Sequence, residues 1–118
     1  MPFSVISHNN KEVLFINHRG LGGDDLLSSF RDVNKFMLEQ KKKFRSVADF
    51  TDTTMSKELN EYLKSDETKE VSQYTQILAL VGITGIKKMA SRIYGLLTGV
   101  KQNIFDTIEE ALDFVTKD

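Results

Sequence analysis

The chain has no cysteine, which removes disulfides, thiolate metal sites and cysteine nucleophiles together. A cysteine-free chain fits a reducing compartment, and a cytoplasmic location is expected. Its two histidines, His8 and His18, have no carboxylate cluster at ligand spacing around them, so no metal site is expected. Neither charge sign dominates: 16 basic and 17 acidic side chains give a net charge of −1. A nucleic-acid binder shows a basic excess, so no nucleic-acid partner is expected. Long apolar runs are also missing. The longest, Ile77 to Ile83 with Gly82 included, falls far short of a membrane span, and Met1 to Ile6 lack the basic region of a signal peptide. There is no Gly-x-Ser-x-Gly elbow for a hydrolase triad and no phosphate-binding P-loop. Proline occurs once, at Pro2, and no repeat, low-complexity tract or linker interrupts the chain. What remains is 118 residues of ordinary globular composition, enough for one domain, 1–118, with a core of its own.

Hydrophobic patterning supplies the order of elements. Phe3 to Ser7 and Glu12 to His18 read as strands joined by a hairpin turn at His8-Asn9-Asn10-Lys11, because asparagine tolerates the positive backbone angles of such turns. Gly20 to Gly23 break the pattern, and Asp24-Asp25 open a helix with Leu26, Phe30, Val33 and Met37 on one stripe. Phe44 to Phe50 is a third strand. Leu59, Tyr62 and Leu63 mark a second helix that Val71 and Tyr74 continue, its stripe weakened at Ser65 to Thr68. Ile77 to Ile83, apolar throughout, reads as a central strand. Gly85 begins a third helix with Ile86, Met89, Ala90, Ile93 and Leu97 on the face expected to meet the core, stopped near Gly99. Gln102 to Phe105 is a last short strand. Asp106 to Glu110 carry overlapping capping boxes, and Ile108, Ala111, Leu112 and Val115 form a final stripe. This alternation predicts an α/β fold: a mixed, mostly parallel five-stranded sheet with an antiparallel first edge strand and about four helices.

Four segments carry a family likeness: Lys11 to Gly20, Ala48 to Thr53, Val81 to Lys88 and Phe105 to Leu112. Taken in order, they make the chain resemble the SpoIIAA-like branch of the STAS and Sec14-related domains. The resemblance implies helices flanking a mixed sheet, no metal, no cofactor and no catalysis. It implies a regulatory protein-interaction module, like the anti-sigma factor antagonists, whose partner is another protein. In those antagonists a serine at the helix start after the third strand is phosphorylated, which toggles partner binding. The matching turn here is Asp52-Thr53-Thr54-Met55-Ser56. Thr53, which follows the aspartate, is the nearest match and Ser56 the less direct one. The turn departs from the family pattern in lacking the Asp-Ser pair and the small residues after it. The Sec14-related likeness implies the alternative, a small apolar-ligand or lipid binder, although those proteins enclose their pocket with extra helices.

The residues themselves leave alternatives at each site. A hydroxyl at a helix start can accept a phosphate that the helix dipole favours, or simply cap the first free amides. Two lysines in a first helical turn, as in Thr84-Gly85-Ile86-Lys87-Lys88 with Arg92 one turn on, oppose the dipole unless an anion or an acidic partner sits there. Otherwise they are solvated. Gly20 to Asp25 fit turn-and-cap use, and Asp49 with Asp52 fit structural use. Tyr94 to Val100 form an apolar helix end that serves either the core or a dimer or partner contact, so the chain is expected as a monomer or homodimer. The expected acting surface is the carboxyl edge of the sheet. The lipid alternative requires a cavity of several hundred Å3, with Phe30, Met37, Tyr62, Met89 and Ile93 among its lining residues.

Overall fold

Asn9 and Asn10 both carry positive φ, 51° and 64°, the backbone state that a tight hairpin turn demands. They join β1 (Phe3–His8) to β2 (Lys11–Asn17) in an antiparallel pair. These and all following elements come from a computed structural model that describes residues 2–117; Met1, Asp118 and the side chain of Ile86, one of the expected stripe residues, lie outside the described set. The chain continues through α1 (Gly23–Gln40), β3 (Phe44–Asp49), α2 (Lys57–Leu63), α3 (Asp66–Ser72), β4 (Thr75–Val81), α4 (Ile86–Thr98), β5 (Asn103–Phe105) and α5 (Ile108–Val115). The strands lie side by side in chain order, with every pairing from β2 onward parallel.

That order determines the layers. Each parallel crossover steps one strand in the same direction, so right-handed connections place α1 to α4 on one face. The closing helix α5 covers the other. Side-chain alternation along the strands serves both faces. Leu14, Ile16, Ala48 and Leu80 pack beneath Val33, Met37 and Val71 of the first layer. Val13, Val47, Ala79 and Val81 pack against Ala111 and Val115 of α5. A smaller cluster of Leu26, Leu59 and Leu63 ties α1 to α2, with Tyr94 of α4 against it.

The described residues form five helices where about four were expected. The helix after β3 is two, because Ser65 restarts it: its Oγ accepts the Thr68 amide at 3.3 Å, as Ser56 Oγ accepts that of Leu59 at 3.1 Å to start α2.

Helix α4 corrects one expectation. Its stripe was expected to face the core, yet Met89 is 63% exposed, Leu96 81%, Leu97 40% and Ile93 37%. None of its described side chains is fully buried. The inward positions are Lys87, Ala90, Ser91, Tyr94 and Thr98. Polar anchors hold the inward positions, and the Tyr94 ring packs on the Leu26, Leu59 and Leu63 cluster. Lys87 Nζ donates to the Phe50 carbonyl at 3.1 Å, and Ser91 Oγ donates to Gln102 Oε1 at 3.0 Å. Gly95 lets the following loop close in, since a Cβ there would stand 3.2 Å from the Val100 carbonyl oxygen. The helix presents these groups to the body of the protein, and its apolar stripe meets water.

Candidate functional site

The carboxyl edge of the sheet is an interlock of strand exits. The His18 amide donates to the Asp49 carbonyl (3.0 Å), the Gly20 amide to that of Thr51 (2.9 Å) and the Phe50 amide to that of Val81 (2.7 Å). Gly82 has a φ of 81°, and a Cβ there would lie 2.4 Å from the Thr51 nitrogen; only glycine permits that approach.

The expected switch turn is drawn into this interlock. Thr53 is 6% exposed. Its hydroxyl donates to the Phe50 carbonyl at 2.8 Å, and its amide reaches the same oxygen at 3.2 Å. Lys87 Nζ completes three donors on that one carbonyl. Thr53 and Lys87 are therefore brought together, but around a backbone oxygen rather than at an open site. A phosphate on Thr53 would require the turn to open. Ser56 stands apart as the cap of α2 and is only partly buried. Thr84, Gly85, Lys88 and Arg92 are exposed, so the five residues of the expected anion site divide: Lys87 turns inward and the others face solvent.

Asp49 and Asp52 sit in different surroundings. Asp49 is buried, and its Oδ1 accepts the Thr51 amide (2.9 Å) and hydroxyl (2.6 Å), with Arg19 4.0 Å from Oδ2. Asp52 is exposed in a left-handed turn with φ 58°. Beside them His18 is 1% exposed, its Nδ1 2.7 Å from Ser29 Oγ and its ring stacked on Phe30 at 4.6 Å. Burial pulls its pKa down to about 4 against a smaller opposing pull from the Asp49 charge, so the imidazole is neutral at pH 7.

Beneath α1 and α4 lies an apolar cavity of about 100 Å3, lined by Ile16, Val33, Met37, Leu80 and Tyr94 among others. Phe30 and Met37 line it as expected; Tyr62, Met89 and Ile93 do not. Tyr62 instead donates to Glu67 and accepts from Asn34. Ser46 Oγ faces this space, buried and without a hydrogen-bond partner among the described residues.

A face that sequence reasoning only touched is the outside of α4 where it meets β5. A groove of about 550 Å3 runs between them, with Lys88, Arg92 and Lys101 beside Leu96, Val100 and Ile104. The signal for it was a gap: between Glu70 and Asp106 the chain has no acidic residue, while Lys87, Lys88, Arg92 and Lys101 fall within it. On a chain of net charge −1 that is a local concentration of positive charge. Among the described residues, no group of three or more His, Asp or Glu side chains is placed to hold a metal, and no helix is long and apolar enough to cross a membrane.

No family model matches the chain, and no curated protein matches it. A solved structure does: an uncharacterised protein of the DUF3478 family with a SpoIIAA-like fold, from Shewanella loihica PV-4. The match covers 96% of this chain and 91% of that one, with a TM-score of 0.66 at 13% identity. Similarity at that identity is one of fold, and it extends over nearly the whole chain. The chain has the SpoIIAA-like α/β fold.

Proposed function

We propose that the chain is a non-catalytic regulatory interaction module that binds another protein through the outward face of α4. The observation that supports this reading is the reversed polarity of that helix. Four large apolar side chains, Met89, Ile93, Leu96 and Leu97, share one exposed stripe. Covering such a side chain fully is worth about 1.5–3 kcal/mol, and contiguous exposed patches of this kind mark interaction surfaces. By contrast, the hydrogen-bonding groups of the carboxyl edge are largely spent on one another. Of the two candidate switch hydroxyls, Ser56 is the one a kinase could reach, since Thr53 is sealed within its turn. A phosphate on Ser56 would place negative charge at the start of α2, where the helix amides favour it.

The second reading, a small apolar ligand in the interior, is favoured by the cavity and its unpartnered Ser46 hydroxyl. About 100 Å3 is below the roughly 300–1,000 Å3 of ordinary ligand sites. It accommodates a compact molecule of a few heavy atoms, not a lipid.

Photo-crosslinking in cells that naturally make the protein tests the first reading. A photoreactive residue at Leu96 should give a discrete protein adduct, and one at the exposed Thr54 on the carboxyl edge should give none. Adducts at position 54 alone would return the acting surface to the carboxyl edge.

A further inference from the structure

We infer that an acidic amphipathic helix of a partner protein lies along the groove between α4 and β5, which flanks the exposed stripe and shares Leu96 with it. The inference rests on the reading above and adds the partner's chemistry. Charge supplies the first argument. Lys88, Arg92 and Lys101 border the groove, none of them is in an ion pair among the described residues, and no acidic residue lies in the chain between Glu70 and Asp106. A partner that covers this surface must bring carboxylates or leave cations facing one another. Hydrophobicity supplies the second. Between the cations stand Leu96, 81% exposed, and Ile104, 44% exposed, with Val100 at the groove wall. The occupant therefore needs apolar residues on one side and acidic residues flanking them, the pattern of a helix seated in a groove.

Other occupants fit less well. A second copy meeting α4 to α4 would oppose Lys88, Arg92 and Lys101 to themselves. The acidic helix of this chain, α5 with Glu109, Glu110 and Asp113, has already spent Ala111 and Val115 on the core, so it cannot supply both halves of the pattern. An extended peptide added to β5 would find only the three residues Asn103–Phe105 to pair with, a short ladder for strand addition. A flat anionic membrane would meet the convex stripe of α4 but would not fill the groove.

The test uses the full chain and a designed helical peptide with leucines on one face and glutamates flanking them, followed by fluorescence anisotropy and backbone amide shifts. The peptide should bind, more weakly as salt is added, with the largest shifts at Lys88, Arg92, Leu96, Lys101 and Ile104. Arg92→Glu combined with Lys101→Glu should weaken it at least about tenfold, with the melting temperature unchanged because both side chains are exposed. The same peptide with lysines in place of glutamates should not bind. Equal binding of the acidic peptide and a scrambled version would overturn the inference. So would absence of peptide binding together with binding to vesicles of phosphatidylserine and phosphatidylcholine, which would assign the face to a membrane. A protein adduct at Leu96 without any acidic-peptide binding would leave the interaction module standing and remove only this description of its partner.

Discussion

Helices α4 and α5 are both amphipathic, each follows a strand of the same sheet, and they use their apolar faces in opposite ways. In α5 the stripe turns inward: Ala111 and Val115 are 0% exposed, and Phe114 packs on Phe105 with ring centroids 5.0 Å apart. Its polar positions, Glu109, Glu110 and Asp113, face water. In α4 the polar and small positions turn inward, held by the Lys87 and Ser91 hydrogen bonds, and Met89, Ile93 and Leu96 face water. Their starts also differ. Thr107 caps α5 by accepting the Glu110 amide, whereas α4 begins at Gly85 with no side-chain cap. One helix completes the core and the other leaves its apolar stripe in water.

Substitutions can break that comparison. Val115→Asp would put a carboxylate into a dry site and should cost at least about 3 kcal/mol. Thermal melting would detect this as a large drop or as failure to fold, and a melting point within a few degrees of wild type would remove α5 from the core.

The layer beneath α1 and α4 has its own sensitivity. His18 is neutral and buried with a pKa near 4, against about 6.5 in the unfolded chain. Between those values the unfolded state binds the extra proton, so stability is full above about pH 6.5 and falls as pH drops toward 4, by an amount on the order of 3 kcal/mol. Urea titrations across this range should show that decline, and His18→Leu should flatten it. An equal slope in both proteins would show that the decline comes from other groups.

The two hydroxyls of the Asp52–Ser56 turn should separate in the same assay. Thr53→Glu forces a charge into the interlock and should cost about 2 kcal/mol or more. Ser56→Ala removes only a cap and should cost about 1 kcal/mol. If Thr53→Glu were as stable as wild type, the turn would be open enough for modification. The smallest effect belongs to α4: Leu96→Asp should stay within about 0.5 kcal/mol of wild type, while Val115→Asp does not.

Much of the architecture could be read from the chain because local signals agreed with the global arrangement. The Asn9-Asn10 turn, the apolar run in β4 and the capping box at Thr107 each led to the element observed. Thr53 and Lys87 both lie at the carboxyl edge, but their meeting point, the Phe50 carbonyl, depends on the loop after β3 folding against the first turn of α4. The periodicity of α4 was equally clear. Periodicity gives a helix its two faces without saying which one is inside. What decides the matter here is tertiary: two polar anchors and one close approach at Gly95. The cationic groove beside it was visible only as the missing acids between Glu70 and Asp106.

Because the natural chain has no cysteine, single introduced thiols can report the orientation of both helices directly. Maleimide labelling of Leu96→Cys and Val115→Cys under native conditions is the most direct measurement. The thiol at 96 should react nearly as fast as a free thiol, and the thiol at 115 only as fast as the protein opens. A protected thiol at position 96 would contradict the outward stripe of α4, and with it the binding face proposed for this protein.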